Sequence, residues 1–258
     1  MNAKHSGAAK VWLLNLFGNA ALVAAVYFLL VLPDAHGWQV GMSAVLALVV
    51  IFFGVWLRAG SFAYFRLAEF RDNAEVGRAF HHSLRHLLAL IIWFIPFAAA
   101  EWWLFRLRQY APQFGVWFWQ KFSALRFGNP RGIYHAADWV LLIVMVLVFA
   151  LWLPVASTVA ATGLKPKRMA RAVCVVKGPA YWGWLMLLLV IGLYLPSKLI
   201  WWIPDLSTLT RQAWSAGMRF FLAYIFVISA WVGLLLVAGT RADEEDSDSS
   251  NRHSSNSA

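Results

Sequence analysis

Residues 140–153 read VLLIVMVLVFALWL and carry no charged, amide or hydroxyl side chain. A strand of a membrane barrel would alternate apolar and polar positions, and this run does not. In hydrocarbon the backbone N–H and C=O groups find no water, so a continuous apolar run closes its own hydrogen bonds as a helix. Extended to about 138–160, the run exceeds the ~20 residues that a crossing needs.

Five further blocks of the same kind lie around it, giving spans at about 11–32, 41–58, 87–105, 138–160, 180–203 and 217–239. Composition agrees: 61% of the 258 residues are hydrophobic, 13% are charged, and mean hydropathy is +0.63. Soluble domains are nearer half apolar and a quarter charged. The first block is longer than a signal-peptide core and lacks a small-x-small cleavage site, so it reads as an uncleaved span. The expected fold is an all-α integral membrane protein, a bundle of six transmembrane helices. Cys174 is the only cysteine, which excludes an intramolecular disulfide and a cysteine metal cluster.

Lysine and arginine set the expected orientation. Fourteen of them fall on the side that holds both termini and eight on the other. Residues 1–10 and 241–258 are therefore expected in the cytoplasm, with the bundle in a bacterial-type inner membrane. The tail ADEEDSDSSNRHSSNSA (242–258) has nothing apolar to bury and reads as disordered. A net charge of +10 would suit nucleic acid, but the basic residues flank the spans, and nucleic acid is not an expected partner.

The chain also resembles itself. VWLRAGS (55–61) matches LWLPVAS (151–157), and each is followed by Arg-Ala and an apolar residue, at Arg78–Phe80 and Arg171–Val173. A span proline then follows, Pro96 or Pro196, and a tryptophan pair, Trp102–Trp103 or Trp201–Trp202. Spans 2–3 and 4–5 thus read as duplicated hairpins, about 55–103 and 151–202, in a parallel repeat. Such repeats occur in transporters with a site at their interface, and equally where a helix pair is duplicated for packing. The tryptophans cluster at span ends, as an aromatic belt does. Within the outer segment 106–137, PQFGVWFWQKFSALRF (112–127) puts Phe114, Trp117, Phe118, Phe122 and Leu125 on one face, as an interfacial helix would. Lys121 falls on that apolar side and has to snorkel.

Two sets of residues invite chemistry. EVGRAFHHSLRH (75–86) follows Asp72-Asn-Ala-Glu75, a capping-box pattern, so a helix is expected from near Asn73 straight into span 3. Glu75, Arg78, His82, Arg85 and His86 share one of its faces, and Val76, Phe80, Leu84 and Leu87 the other. His82 and His86 have the i, i+4 spacing of two metal ligands on a helix, but zinc needs three or four ligands and the two arginines repel a cation. A pH switch through the histidines is a second possibility. The reading favoured is a basic face against anionic headgroups, because the matching segment KPKRMARAVCVVK (165–177) keeps Lys167, Arg168 and Arg171 and has no histidine. There Pro166 suits a first helical turn and Gly178-Pro179 a break before span 5.

Glu101, in PFAAAEWW, and Lys198, in PSKLIWW, lie at similar depth in spans 3 and 5. Ionisable groups within spans are costly and mark candidate sites. The alternatives are an ion pair between the two, separate reach to interfacial water, or a substrate or proton role. Pro96, Pro154 and Pro196 are expected to kink their helices. Ser61 and Ser157 occupy matching positions without the neighbours of a catalytic serine. No P-loop, dinucleotide fingerprint, HExxH or paired carboxylates on a span occur, so neither enzyme activity, a metal nor a cofactor is expected.

AEVGRAFHHSLRHLLALIIWFIP (74–96) and KRMARAVCVVKGPAYWGWLMLLLVIGLYLP (167–196), within six spans and a polar tail, resemble the membrane domain attached to some glycerophosphodiester phosphodiesterases and its bacterial stand-alone relatives. The resemblance covers roughly residues 40–240. It implies a non-enzymatic membrane module and supplies no site residues, and no region is long enough to hold the phosphodiesterase domain. The expected role is a scaffold or accessory protein touching anionic lipid or a membrane-protein partner. The alternative is a small transporter with its path between the repeats.

Overall fold

A computed structural model describes residues 2–32, 36–70, 75–122, 130–204 and 208–240. The described residues are helical with no strand, and six helices or helical stretches are long and apolar enough to cross a membrane. The chain is an all-α, multi-pass membrane protein. In order the elements are α1 (Asn2–Val31), α2 (Gly37–Phe70), α3 (Val76–Leu84), α4 (Leu87–Gln109), α5 (Ala111–Lys121), α6 (Pro130–Thr162), α7 (Pro166–Cys174), α8 (Pro179–Leu189), α9 (Leu195–Trp201) and α10 (Leu209–Thr240). A 3₁₀ turn, Val175–Lys177, precedes α8, and a π turn, Val190–Tyr194, joins α8 to α9 into the fifth span.

The three longest even-numbered spans form the centre. Phe62 of α2 meets Trp152 of α6 and Trp231 of α10 edge to face, at 5.9 and 5.8 Å. Along α2 and α10, Arg58 lies over Trp231 while Arg66 donates to the Gly239 carbonyl at 3.1 Å. Both helices therefore ascend together. α1, α4 and α8–α9 flank this trio, each antiparallel to its neighbour. Asn15 pairs with Ser61 and Asn19 with Arg58, while Phe97 stacks on Trp152 at 4.5 Å and Arg108 reaches Asp138. Small residues allow the close contacts, as is usual where lipid gives no hydrophobic drive between helices. A Cβ on Gly60 would lie 2.2 Å from the Phe80 ring, so α3 lies hard against α2.

The fifth span and α6 share a device built on proline. Pro154 sits inside α6 and has no N–H to give the Ala150 carbonyl one turn back. The Tyr181 hydroxyl of α8 donates to that carbonyl at 2.7 Å, and Tyr181 is fully buried. Ser157 and Thr158 in turn donate to the Pro154 carbonyl.

Several expectations meet their structure here. Pro166 and Pro179 open α7 and α8 as expected, with Gly178 extended before α8. Gly163 ends α6 at φ 73°, a left-handed position that glycine adopts without strain. Residues 2–10, expected in the cytoplasm, are helical and continuous with the first span. The helix through the histidines does not run into span 3. It starts at Val76 with Glu75 as its cap residue, and breaks at Arg85–His86, whose amides donate to His82 and Ser83 carbonyls three residues back. Ser83 has its hydroxyl on the Phe80 carbonyl, a local bond that competes with the helix ladder. In the outer segment, α5 ends at Lys121 and turns Ala111 and Gly115, not its aromatics, into the bundle. Phe114, Trp117 and Phe122 are exposed, as is Lys121. Asp72, Leu125 and the 241–258 tail lie outside the described residues.

Candidate functional site

The basic segments fold as two short helices of nine residues each, α3 and α7. On α3, Ala79, Phe80 and Ser83 are buried, while Arg78 and Arg85 are exposed, and Arg78 pairs with Glu75 at 3.0 Å. On α7, Ala172 is buried, and Lys167, Arg168 and Arg171 are exposed. Both helices are thus amphipathic, with these uncharged residues inward and cations outward.

His82 and His86 part company with the arginines. Both are half-buried, and their rings meet edge to face at 5.1 Å. His82 Nε2 lies 3.0 Å from the Ala161 carbonyl in the last turn of α6. A carbonyl only accepts, so Nε2 carries the proton and serves an acceptor left over at the helix end. His86 lies against Gly163, where an added Cβ would sit 3.0 Å from its Nδ1. The histidines fasten α3 to the end of α6. No three His, Cys, Asp or Glu side chains gather as a metal site among the described residues.

Burial, followed by His82, Lys165 and Arg85, pushes the His86 imidazole below its ordinary value of 6.5. The folded protein then binds fewer protons than the unfolded chain just below that value, so stability falls as pH drops through it. Once pH is below the folded value the loss is complete. Thermal unfolding between about pH 8 and pH 5 is expected to show the folded protein weakening on acidification, and His86→Gln is expected to weaken less. An equal fall in both proteins would rule out His86 as a source.

Glu101 and Lys198 are not brought together. Lys198 is exposed on α9, its Nζ 5.5 Å from the Tyr194 ring centre. Glu101 is half-buried on α4, and its Oε1 is buried without a hydrogen-bond partner among the described residues. The two helices have different neighbours: α4 packs chiefly on α6, and α9 on α10. Glu101 instead borders a cleft of about 450 Å³ between α4, α6, α8 with the π turn, and α10. Its walls are apolar apart from Glu101 and Arg108, and Arg108 is held by both oxygens of Asp138 at 2.5 and 3.0 Å.

A third polar site was missed in the sequence. Arg58, expected in a cytoplasmic segment, lies inside α2 and donates to Asn19 Oδ1 at 2.8 Å and Asn15 Oδ1 at 3.5 Å. Asn15 donates to Ser61 Oγ at 2.8 Å and to the Val11 carbonyl at 2.9 Å. The guanidinium lies 4.8 Å from the Trp231 ring centre, a cation–π contact. No carboxylate pairs with Arg58 among the described residues. The available signal was Asn15 and Asn19, i and i+4 in an otherwise apolar span. Ser61 is fully buried here, and Ser157 is spent on Pro154, so both are structural.

No protein family, curated protein or solved structure matches this chain.

Proposed function

We propose that the protein is a non-catalytic module of a bacterial cytoplasmic membrane, with both termini in the cytoplasm, acting as a scaffold or accessory protein. Its contact with anionic headgroups runs through α3 and α7. The observation that carries this reading is the exposed cationic side of both helices, Arg78 and Arg85 on one and Lys167, Arg168 and Arg171 on the other. A duplicated hairpin gives both surfaces one origin. It is supported by two runs of the same order, α2–α3–α4 and α6–α7–α8–α9, each with a long helix, a nine-residue basic helix and a proline-bearing span. The resemblance to the phosphodiesterase membrane domain fits the same role.

Transport between the repeats has one observation in its favour, the cleft at their boundary. Its apolar walls offer no polar path, and Lys198 does not border it. The lipid reading therefore takes precedence.

The test is lipid retention. Each basic residue near an anionic surface contributes about 1 kcal/mol. Replacing Arg78, Arg85, Lys167 and Arg168 by glutamine is therefore expected to cut phosphatidylglycerol carried through purification by at least about tenfold, with phosphatidylcholine in mixed nanodiscs unchanged. Equal phosphatidylglycerol retention by a folded variant would reject the role of these helices.

A further inference from the structure

The cleft between α4, α6, the fifth span and α10 has features that packing alone does not require. Glu101 Oε1 and Trp231 Nε1 are both buried, both belong to residues that border it, and neither has a hydrogen-bond partner among the described residues. Buried polar groups are almost always paired, and each exception calls for an explanation. The π turn Val190–Tyr194 borders the same space through Gly192, and π turns occur often at functional sites. The volume of about 450 Å³ falls within the roughly 300–1,000 Å³ of small-molecule sites, whose walls are mostly apolar with a few placed polar groups.

The chemistry of the walls selects the ligand. Phe149, Leu188 and their neighbours offer only apolar contact, which suits an alkyl chain. A carboxyl group among them keeps its charge only if a cation or a strong donor meets it, and otherwise takes up a proton. Arg108 borders the cleft too, but its guanidinium is already engaged by Asp138. A cation that keeps Glu101 ionised has to come with the ligand. An anionic amphiphile such as a fatty acid would place like charges together, and a neutral alcohol would leave the carboxylate uncompensated. We propose that this cleft binds a single-chain amphiphile bearing a protonated amine, with the chain along the apolar walls and the ammonium donating to Glu101. This site is separate from α3 and α7 and does not depend on their lipid contact.

Dodecylamine, dodecanol and dodecanoate share a chain and differ in head group. Added separately to the detergent-purified full chain, they are compared by native mass spectrometry and by thermal unfolding. Dodecylamine is expected to bind at least about tenfold tighter than the other two, equivalent to about 1.4 kcal/mol, and to raise the unfolding temperature. Glu101→Gln is expected to abolish that preference. Equal binding of amine and alcohol, or a preference that survives Glu101→Gln, would overturn the proposal. Should Glu101→Gln fail to fold, Leu188→Trp fills the cleft while keeping the carboxylate. It must then abolish amine binding, and undiminished binding is again fatal.

Discussion

Tyr181→Phe is expected to destabilise the bundle by about 1–2 kcal/mol, at the upper end of interhelical hydrogen bonds in membranes. Tyr181→Ala is expected to cost about 3–5 kcal/mol, the range for a buried aromatic cut to alanine. The two substitutions separate two contributions. Phenylalanine keeps the ring, which is fully buried against α6, and removes only the hydroxyl. The loss is large for one bond because Pro154 has already removed the usual donor to the Ala150 carbonyl. Ala150 and Tyr181 are both fully buried, so no solvent stands at the carbonyl to replace it. Alanine adds a cavity at the junction of α6 and α8. Unfolding in mixed micelles measures both, and a third variant tests the cause. In the Tyr181→Phe background, Pro154→Ala restores a backbone N–H at the right place and is expected to recover much of the deficit. If Pro154→Ala costs the same in both backgrounds, the two residues are not coupled, and the orphan-carbonyl account fails.

The second large effect concerns Arg58. Arg58→Leu leaves the Asn15 and Asn19 oxygens without their donor and removes the cation from the Trp231 face. Buried acceptors left unsatisfied cost about 1–3 kcal/mol each. Asn15 is fully buried and Asn19 nearly so, and an expected loss of about 2–4 kcal/mol follows. Replacing the set together behaves differently, because well-packed apolar residues often match or exceed a buried polar group in stability. Arg58→Leu with Asn15→Leu and Asn19→Leu is expected to recover most of the single variant's loss. Measured by the same unfolding titration, a triple variant weaker than Arg58→Leu would show that the cluster does more than satisfy its own groups.

The membrane class, six spans and their order were legible because each depends on local runs such as 140–153. The ends of the spans were less so. Hydropathy stops at the first arginine, whereas α2 continues past Arg58 and Arg66 because Asn19 and the Gly239 carbonyl take up their donors. The break at Arg85–His86 was hidden because helical periodicity continues through it, and what departs is the hydrogen-bond ladder, which shortens to three-residue steps. The exposed arginines of α3 were readable from amphipathicity. That His82 and His86 turn toward Ala161 and Gly163 was not, since it depends on where α6 ends in space. The separation of Glu101 from Lys198 has the same character: it depends on which neighbours the helices take in space, α6 for α4 and α10 for α9.

The parallel course of α2, α6 and α10 has an electrostatic consequence. Each helix carries roughly half a negative charge at its C-terminus from aligned peptide dipoles, and the three C-termini lie at the same end of the bundle. Arg66 on the Gly239 carbonyl and the His82 N–H on the Ala161 carbonyl answer that accumulated potential from within the protein. Cations at this end are therefore drawn there by the backbone itself as well as by any lipid. Neutralising them one by one would then erode the bundle's stability even in a neutral detergent, where no headgroup charge remains.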